Sequence, residues 1–302
     1  MRISAVFEKE FRDLVSSKRL IVILVAFVLS YVIAIGGYVV MFSEVGAPMP
    51  KNIIGMVLGS LVGYLSLVAS VIGIALGFDA VSGEHERGTL RMVLAQPIFR
   101  DEFIVGKFLA AVAAISLAVS VATAASVSSA VVMLGITLSE QDVVKVALVV
   151  ALSILLALAY YSLSVLCSTV FKKSSTSALI SIALLIVFFI VLPVLSTVIA
   201  RAVVGPPPKI RFRPGMVRQD LAKLREYRAK FSSVREAVLS LSLNHHFNRL
   251  AGFIAGYRRA APVDMMLADA LARNATSLVV LAVVTLVALA ASFIIFTRSE
   301  LK

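Results

Sequence analysis

The sequence contains no tryptophan and a single cysteine, and its charges are absent from the interiors of six long apolar runs. Cys167 lies inside one of these runs, so no intrachain disulfide can form and the cysteine carries no redox information. Ion-coupled carriers and proton relays need ionisable side chains at membrane depth. If the chain moves a substrate, its energy is therefore expected to come from outside its own membrane segments.

Signatures of catalysis and metal binding are also missing. Gly106-Lys107 resembles the end of a phosphate-binding loop, but such a loop needs a glycine five positions before Gly106 and Ser or Thr after the lysine. Those two positions hold Asp101 and Phe108. No nucleophile elbow, zinc signature or pair of catalytic carboxylates is present. The chain is therefore predicted not to be an enzyme and to bind no cofactor or metal itself, and Lys107 is expected to anchor the third run by snorkelling.

Apolar residues are in excess: 60% of the 302 residues are hydrophobic, and the mean hydropathy is +1.00. A soluble domain is roughly half apolar. The apolar runs occupy about residues 20–42, 54–78, 108–136, 145–171, 178–200 and 275–297. Each is long enough to cross about 30 Å of hydrocarbon as a helix. The predicted fold is an all-α integral membrane protein with six transmembrane helices, of which five lie in residues 20–200 and the sixth in 275–302.

Residues 1–19 precede the first run and place apolar side chains at helical spacing between charged ones. The apolar positions are Ile3, Val6, Phe7, Phe11, Leu14 and Val15. This pattern predicts an N-terminal amphipathic helix that lies in the headgroup region as an interfacial helix. An ordinary solvated N-terminus is the alternative.

A polar stretch, residues 78–109, separates the second and third runs. A connection between two spans needs only a few residues, so thirty suggest a docking surface. Capping residues, glycine breaks and a terminating proline predict a short amphipathic helix along the membrane surface. The caps are Ser82 and Thr89, the breaks Gly83 and Gly88, the terminator Pro97, and the shared apolar face Leu90, Val93 and Leu94.

The segments GEHERGTL (83–90), LAQP (94–97), RDEF (100–103) and GKFL (106–109) resemble the ABC-2 type permeases. These are the membrane subunits of ATP-binding-cassette exporters. The resemblance implies that loop 79–107 carries a cytoplasmic coupling helix, which sits in a groove of a separate ATPase subunit, and that the N-terminal helix assists this contact. It also implies two ATPase subunits, which bind ATP and Mg, and a second permease copy, identical or related.

The predicted coupling contacts are Glu84, Glu86, Arg87, Gly88, Thr89, Leu90 and Val93. We expect the two carboxylates and Arg87 to form charge-assisted hydrogen bonds at the rim of the interface. Leu90 and Val93 are expected to pack inward.

The distribution of Lys and Arg predicts the orientation. With a cytoplasmic N-terminus, thirteen of them lie on the cytoplasmic side, against Lys51 and Lys145 in the short outer loops. Another fourteen lie in residues 201–274, but loops of that length cross the membrane largely regardless of charge. The chain is therefore predicted to be a multi-pass protein of the cell membrane with both termini in the cytoplasm.

Residues 201–274 should form a long helical extracellular loop between spans five and six, with a net charge of +9. We expect one helix after the Pro214-Gly215 turn, a second that opens at the capping box Ser233-x-x-Glu236, and a third near Asp264. Because the loop has little apolar content, its helices should pack on the outer mouth of the spans. The basic charge fits anionic lipid headgroups, an anionic substrate or an extracellular partner; a solvated face without ligand is the alternative.

Three further motifs have both a structural and a functional interpretation. Gly55, Gly59 and Gly63 stack on one face of the second span and allow close helix packing, within the subunit or across a dimer. Pro193 should kink the fifth span, either as a hinge or as a simple bend. The last motif is a weak candidate for copper binding that consists of His245, His246, Met265 and Met266.

The sequence thus predicts the permease subunit of an exporter for a lipid, a hydrophobic drug or a peptide, with membrane lipids around it and no nucleic-acid partner. Two other classes stay open. One is an ATPase-coupled scaffold that regulates or releases another membrane protein without moving a solute. The other is a self-contained carrier or channel, which the uncharged spans disfavour.

Overall fold

The computed structural model describes residues 2–44, 46, 52–88, 100–208, 217–256, 272 and 274–298. Within these residues all regular structure is helical, as predicted. The helices are α1 (Arg2–Val15), α2 (Lys18–Ser43), α3 (Ile53–Gly77), α4 (Ser82–Glu86), α5 (Arg100–Leu134), α6 (Glu140–Val170), α7 (Ser174–Ile186), α8 (Leu192–Val204), α9 (Val217–Leu239), α10 (Leu243–Ile254) and α11 (Ala275–Arg298).

Six helical segments of this part of the chain are long and apolar enough to cross a membrane. They are α2, α3, α5, α6, the continuous segment that α7 and α8 form with a π-helical turn between them, and α11. The six-span architecture is therefore confirmed. The protein is an all-α integral membrane protein.

Local side chains start several of these helices. Ser17 accepts a hydrogen bond from the Leu20 amide at the start of α2, and Asn52 accepts one from Gly55 at the start of α3. Ser139 and Asp142 form a reciprocal capping box at the start of α6. Such bonds satisfy amide donors that have no partner within the helix.

The chain divides into two compact units, and the first comprises residues 1–183 and 246–302. In this unit α3 packs closely along α6, because two glycines of α3 have no side chain to hold the helices apart. A Cβ atom at Gly73 would overlap the backbone carbonyl of Ala157, and one at Gly77 would lie 2.8 Å from the carbonyl oxygen of Tyr161. These are the close helix contacts of the second span.

The predicted stripe of Gly55, Gly59 and Gly63 lies nearer the N-terminal end of α3. Gly63 is exposed, and a Cβ atom there would meet nothing within 4 Å. The nearest atoms to a Cβ atom at Gly55 belong to Asn52, the cap of the same helix. Tight packing at Gly63 within the subunit is therefore wrong. A dimer contact through Gly55, Gly59 and Gly63 stays a prediction.

The last part of α10 belongs to the first unit and reaches deep into it. Asn248 Nδ2 donates a hydrogen bond to Ser66 Oγ over 3.1 Å. Ser66 lies thirteen residues into α3, which is about 20 Å along that helix. The expectation that the helices after span five cover only the mouth of the spans is therefore wrong for α10, which reaches the middle of α3.

The second unit comprises residues 184–245. Its helix α9 is continuous, so the predicted new helix at Ser233 is wrong. The Ser233 hydroxyl lies inside α9 and donates to the carbonyl of Lys230, 2.9 Å away. A Ser-x-x-Glu pattern within a helix is satisfied in this way as readily as at its start. The predicted third helix near Asp264 lies outside the described residues.

The fifth span changes its helical geometry just before Pro193, and the predicted kink at that residue stays a prediction. A π-helical turn, Val187–Val191, precedes α8, in which Pro193 occupies the first turn. Proline lacks an amide donor and its ring crowds the preceding turn, so a locally wider turn accommodates it. A hinge at this position stays a prediction.

Candidate functional site

The helix α4 begins four residues after the second span, and a side chain from the fourth span caps it. Ser168 Oγ accepts hydrogen bonds from the amides of Val81, at 3.0 Å, and Ser82, at 2.9 Å. The Ser82 hydroxyl also lies 3.0 Å from Ser168 Oγ. A short helix is marginal by itself, so its position depends on this contact with α6.

The other end of α4 is tied to the fifth span. Glu86 Oε1 accepts a hydrogen bond from the Ser174 amide, at 3.1 Å, where α7 begins. Gly88 ends the helix with a positive φ of 68°, which glycine adopts without strain. Gly83, by contrast, lies inside α4 rather than breaking a helix. Both ends of α4 are therefore anchored to neighbouring spans.

A buried cluster of charges connects α4 with α1 and α5. Lys107 Nζ lies 2.7 Å from Glu10 Oε2 and 3.8 Å from Glu84 Oε1. Each of the three residues is at most 8% exposed. Burying an unpaired charge costs several kcal/mol, whereas a paired one is tolerated. The cluster therefore holds together three helices that are far apart in the sequence.

Two further ion pairs surround this cluster. Arg87 Nη2 lies 3.6 Å from Glu84 Oε1, with the Arg87 side chain exposed. Arg19 Nη1 lies 2.7 Å from Asp79 Oδ2, and its guanidinium carbon lies 4.9 Å from the centre of the Phe78 ring. The contacts of Arg19 join the start of the first span to the end of the second.

The contact between α1 and α5 depends on a glycine. A Cβ atom at Gly106 would lie 2.7 Å from Val6 Cγ1, so only glycine allows the observed approach. Val6 and Glu10 are buried, one helical turn apart, while Phe7 and Phe11 stack with their ring centres 5.8 Å apart. The predicted amphipathic N-terminal helix is present, and one of its faces packs on α5.

A cavity of about 350 Å³ opens among these helices. Charged and hydroxyl side chains from α1, the start of α2, the chain between α3 and α4, the region of α4, and α5 line it. These are Glu10, Asp13, Ser17, Lys18, Arg19, Asp79, Glu84, Arg87 and Lys107. The cavity thus lies where the ion pairs of the three helices meet.

A family model described as ABC-2 family transporter protein matches residues 4–301. The chain belongs to the ABC-2 transporter family. No curated protein matches the chain closely enough to count as a relative. The protein is thus a multi-pass membrane permease subunit of an ABC transporter. In such transporters the permease lacks nucleotide-binding domains and works with ATPase subunits.

In this ABC-2 permease the predicted coupling residues divide into three groups. Glu86, Arg87 and Gly88 are exposed, as residues of an interface rim must be. Glu84 is 6% exposed and lies inside the charge cluster, so its predicted place at the rim is wrong. The remaining three, Thr89, Leu90 and Val93, lie outside the described residues, as does the helix predicted to end at Pro97.

The structure also corrects the interpretation of Lys107. The side chain does not extend toward headgroups as predicted, because Glu10 and Glu84 bind it in the interior. Sequence reasoning missed Glu10 and Ser168 as functional candidates. Glu10 lies four residues after Val6, on the same face of α1. This spacing could have indicated that Glu10 belongs to the buried face.

The histidine pair does not form a metal site with the described residues. His246 Nδ1 lies 3.2 Å from Ser277 Oγ. Among the residues that the structure describes, no group of three His, Cys, Asp or Glu side chains could hold a metal ion. Met265 and Met266, the other members of the copper hypothesis, lie outside them.

Proposed function

We propose that this permease is half of the membrane part of an exporter in the cytoplasmic membrane. Two ATPase subunits, which bind ATP and Mg²⁺, dock on the cytoplasmic loop 79–107 and on α1. Both termini lie in the cytoplasm, as the excess of Lys and Arg on that side supports. A second permease copy, identical or related, completes the transport path. Apolar spans favour a lipid, a hydrophobic drug or a peptide as cargo.

The observation that carries this proposal is the bridge of Lys107 between Glu10 and Glu84. Lys107 lies at the start of the third span, whereas the two carboxylates belong to α1 and α4. Separating buried charges is unfavourable, so a force on either short helix is transmitted to α5. Closure of the ATPases would displace all three helices together and shift the spans between inward-open and outward-open states.

Exposed residues of α4 are expected to contact the ATPase directly. His85 and Arg87 are both exposed, unlike Glu84. Removing these two side chains changes the outer face of α4 without introducing a charge into the buried cluster. It also removes the contact of Arg87 with the buried Glu84, 3.6 Å away, so the stability of this variant is measured beside its docking.

The experiment is affinity purification of the tagged permease in mild detergent from its native host, with quantification of the ATPase that accompanies it. The double variant His85→Ala, Arg87→Ala should retain at least tenfold less ATPase, which corresponds to about 1.4 kcal/mol. The matched control is Lys223→Ala, Arg225→Ala, an exposed pair of the same spacing on α9, and it should retain the wild-type amount. Melting temperatures of all three proteins establish that they are folded.

Two results would count against the proposal. Equal ATPase retention by the α4 variant would place docking elsewhere. A wild-type permease that purifies stably without any ATPase would instead favour a self-contained carrier or channel.

A further inference from the structure

The helix α9 runs antiparallel beside the outer half of the fifth span. Tyr227 donates a hydrogen bond from its hydroxyl to the carbonyl of Gly205, 3.1 Å away, just beyond the end of α8. Ser242, beyond the other end of α9, donates to the carbonyl of Phe188, 2.7 Å away, in the π-helical turn. The two bonds determine which residues of α9 lie beside which residues of the fifth span.

The length of the span indicates how deep the paired residues of α9 lie in the membrane. The segment Ser174–Val204 has 31 residues, whereas about 20 residues cross the hydrocarbon layer. The apolar run of this span begins near Ala178, so a span that enters the layer there leaves it near Val198. Phe188, and with it Ser242, lies inside the layer, whereas Gly205 and Tyr227 lie beyond it.

Arg235 lies seven residues before Ser242. Along α9 this is roughly 10 Å from Ser242 in the direction of Tyr227. Val198, at the edge of the layer, lies ten residues beyond Phe188, or roughly 15 Å in the same direction. The Arg235 side chain is exposed. It is thus an exposed guanidinium roughly 5 Å from the boundary between hydrocarbon and headgroups, a distance that its flexible stem can span.

Two other arginines lie on the same side of α9. Arg225, Arg228 and Arg235 are all exposed and are separated by three and seven residues, which places them on one flank of the helix. We call these three residues the arginine flank. The less exposed side of α9, which includes Tyr227 and Phe231, lies next to it.

The acidic side chains near this flank leave it with a net positive charge, because three arginines stand against Glu236, which is exposed and follows Arg235 in the sequence. Glu226, on another face of α9, lies 2.9 Å from Lys230 Nζ. The Lys230 ammonium, which bonds to the Glu226 carboxylate, holds the pKa of that group below its ordinary value. Val194 and Val198 of α8 are 60% and 56% exposed, so apolar surface suited to acyl chains accompanies the basic charge.

We propose that the arginine flank binds the phosphates of anionic phospholipid headgroups in the leaflet that faces α9. A guanidinium presents two parallel N–H donors to a phosphate, and its alkyl stem can lie along the apolar surface. In the proposed orientation this is the outer leaflet. A reversed orientation would place the same contacts in the inner leaflet. Lipid binding by the flank does not require an ATPase.

The test uses the full-length permease in neutral detergent and measures its melting temperature during titration with phosphatidylglycerol. The wild-type protein should be stabilised by phosphatidylglycerol and not by phosphatidylcholine or inorganic phosphate. The variant Arg228→Gln, Arg235→Gln should need roughly tenfold more phosphatidylglycerol for the same shift. The control Lys223→Gln, Lys230→Gln removes the same charge from another face of α9 and should respond like the wild type.

Three outcomes would overturn the proposal. Equal loss of response in both variants would mean nonspecific attraction to net charge. An equal response to phosphatidylcholine would mean that headgroup charge plays no part. Stabilisation by inorganic phosphate alone would identify an anion site that needs no lipid.

Discussion

Lys107 Nζ lies 2.7 Å from Oε2 of Glu10, a residue 97 positions earlier, and both side chains are only about one-tenth exposed. Glu84, from a third helix, completes the cluster at 3.8 Å from the same ammonium. The pair therefore joins the N-terminal helix and the third span at the position where loop 79–107 ends. The charged groups of the cluster can be buried because each has a partner of opposite sign.

Replacing Lys107 should cost much more than replacing the neighbouring Lys9. Lys107→Met leaves two buried carboxylates without their shared cation, and breaking a buried pair costs about 3–5 kcal/mol. Lys9 also pairs with Glu10, at 3.5 Å, but its side chain is 57% exposed. An exposed pair contributes about 0–1 kcal/mol, so Lys9→Met should be nearly neutral. The measurement is thermal or denaturant unfolding in detergent.

The double variant Lys107→Met, Glu10→Met supplies the matching control. Removing both partners of the pair should recover part of the lost stability, because one fewer charge then stays buried. Additive losses from Lys107→Met and Glu10→Met would show that the two side chains do not stabilise each other.

Gly106→Ala should separate α1 from α5. The new methyl group would lie 2.7 Å from Val6 Cγ1, and overpacking of this kind costs about 1–3 kcal/mol. Limited proteolysis within the first twenty residues should therefore become faster. Adding Val6→Ala should restore resistance, because it removes the side chain in conflict; no rescue would mean that the two helices do not meet at this point.

Ser168→Ala should loosen α4 without affecting the fourth span. The variant leaves the Val81 and Ser82 amides without their acceptor, and lost capping costs about 0.5–2 kcal/mol. Hydrogen exchange of the peptide that covers residues 78–88 should accelerate roughly threefold to thirtyfold. Thr169→Ala is the control, since that hydroxyl donates within its own helix, to the carbonyl of Leu166. Equal exchange in both variants would contradict the assigned cap.

Gly73→Ala and Gly63→Ala place the same methyl group on one helix with opposite expected results. At Gly73 it meets the Ala157 backbone, which cannot rotate away, so the monomer should lose more than 1 kcal/mol of stability. At Gly63 it enters open space, so the melting temperature of the monomer should not fall. Unfolding of both variants in detergent distinguishes the sites. If Gly63→Ala instead weakens association of two permease copies, the predicted dimer face gains support.

Most of the secondary structure could be predicted because a membrane imposes a severe constraint. Unpaired backbone groups are costly in hydrocarbon, so apolar runs of about 20 residues become helices almost regardless of context. The predicted runs and the observed spans agree to within two residues at both ends for the first run and the last. The fifth run, by contrast, is extended at both ends, to Ser174–Val204, since helical geometry continues beyond the most apolar residues.

The failed predictions concern one helix boundary and several contacts. The pattern at Ser233 suggested a helix start, but α9 continues through this position and the Ser233 hydroxyl donates to the carbonyl of Lys230. Glu84 was expected to form charge-assisted hydrogen bonds at the rim of the ATPase interface. Its burial could not be foreseen without knowing that Lys107 would lie beside it.

The sequence by itself determined the membrane class, the six spans, the amphipathic N-terminus and the polar loop that carries the family resemblance, because each follows from local composition or periodicity. The tertiary structure alone decided the partners: Lys107 with Glu10, Ser168 with α4, and Gly106 with Val6. Each of these contacts joins residues at least 86 positions apart. Such contacts depend on how the spans pack against one another, which no short stretch of sequence encodes.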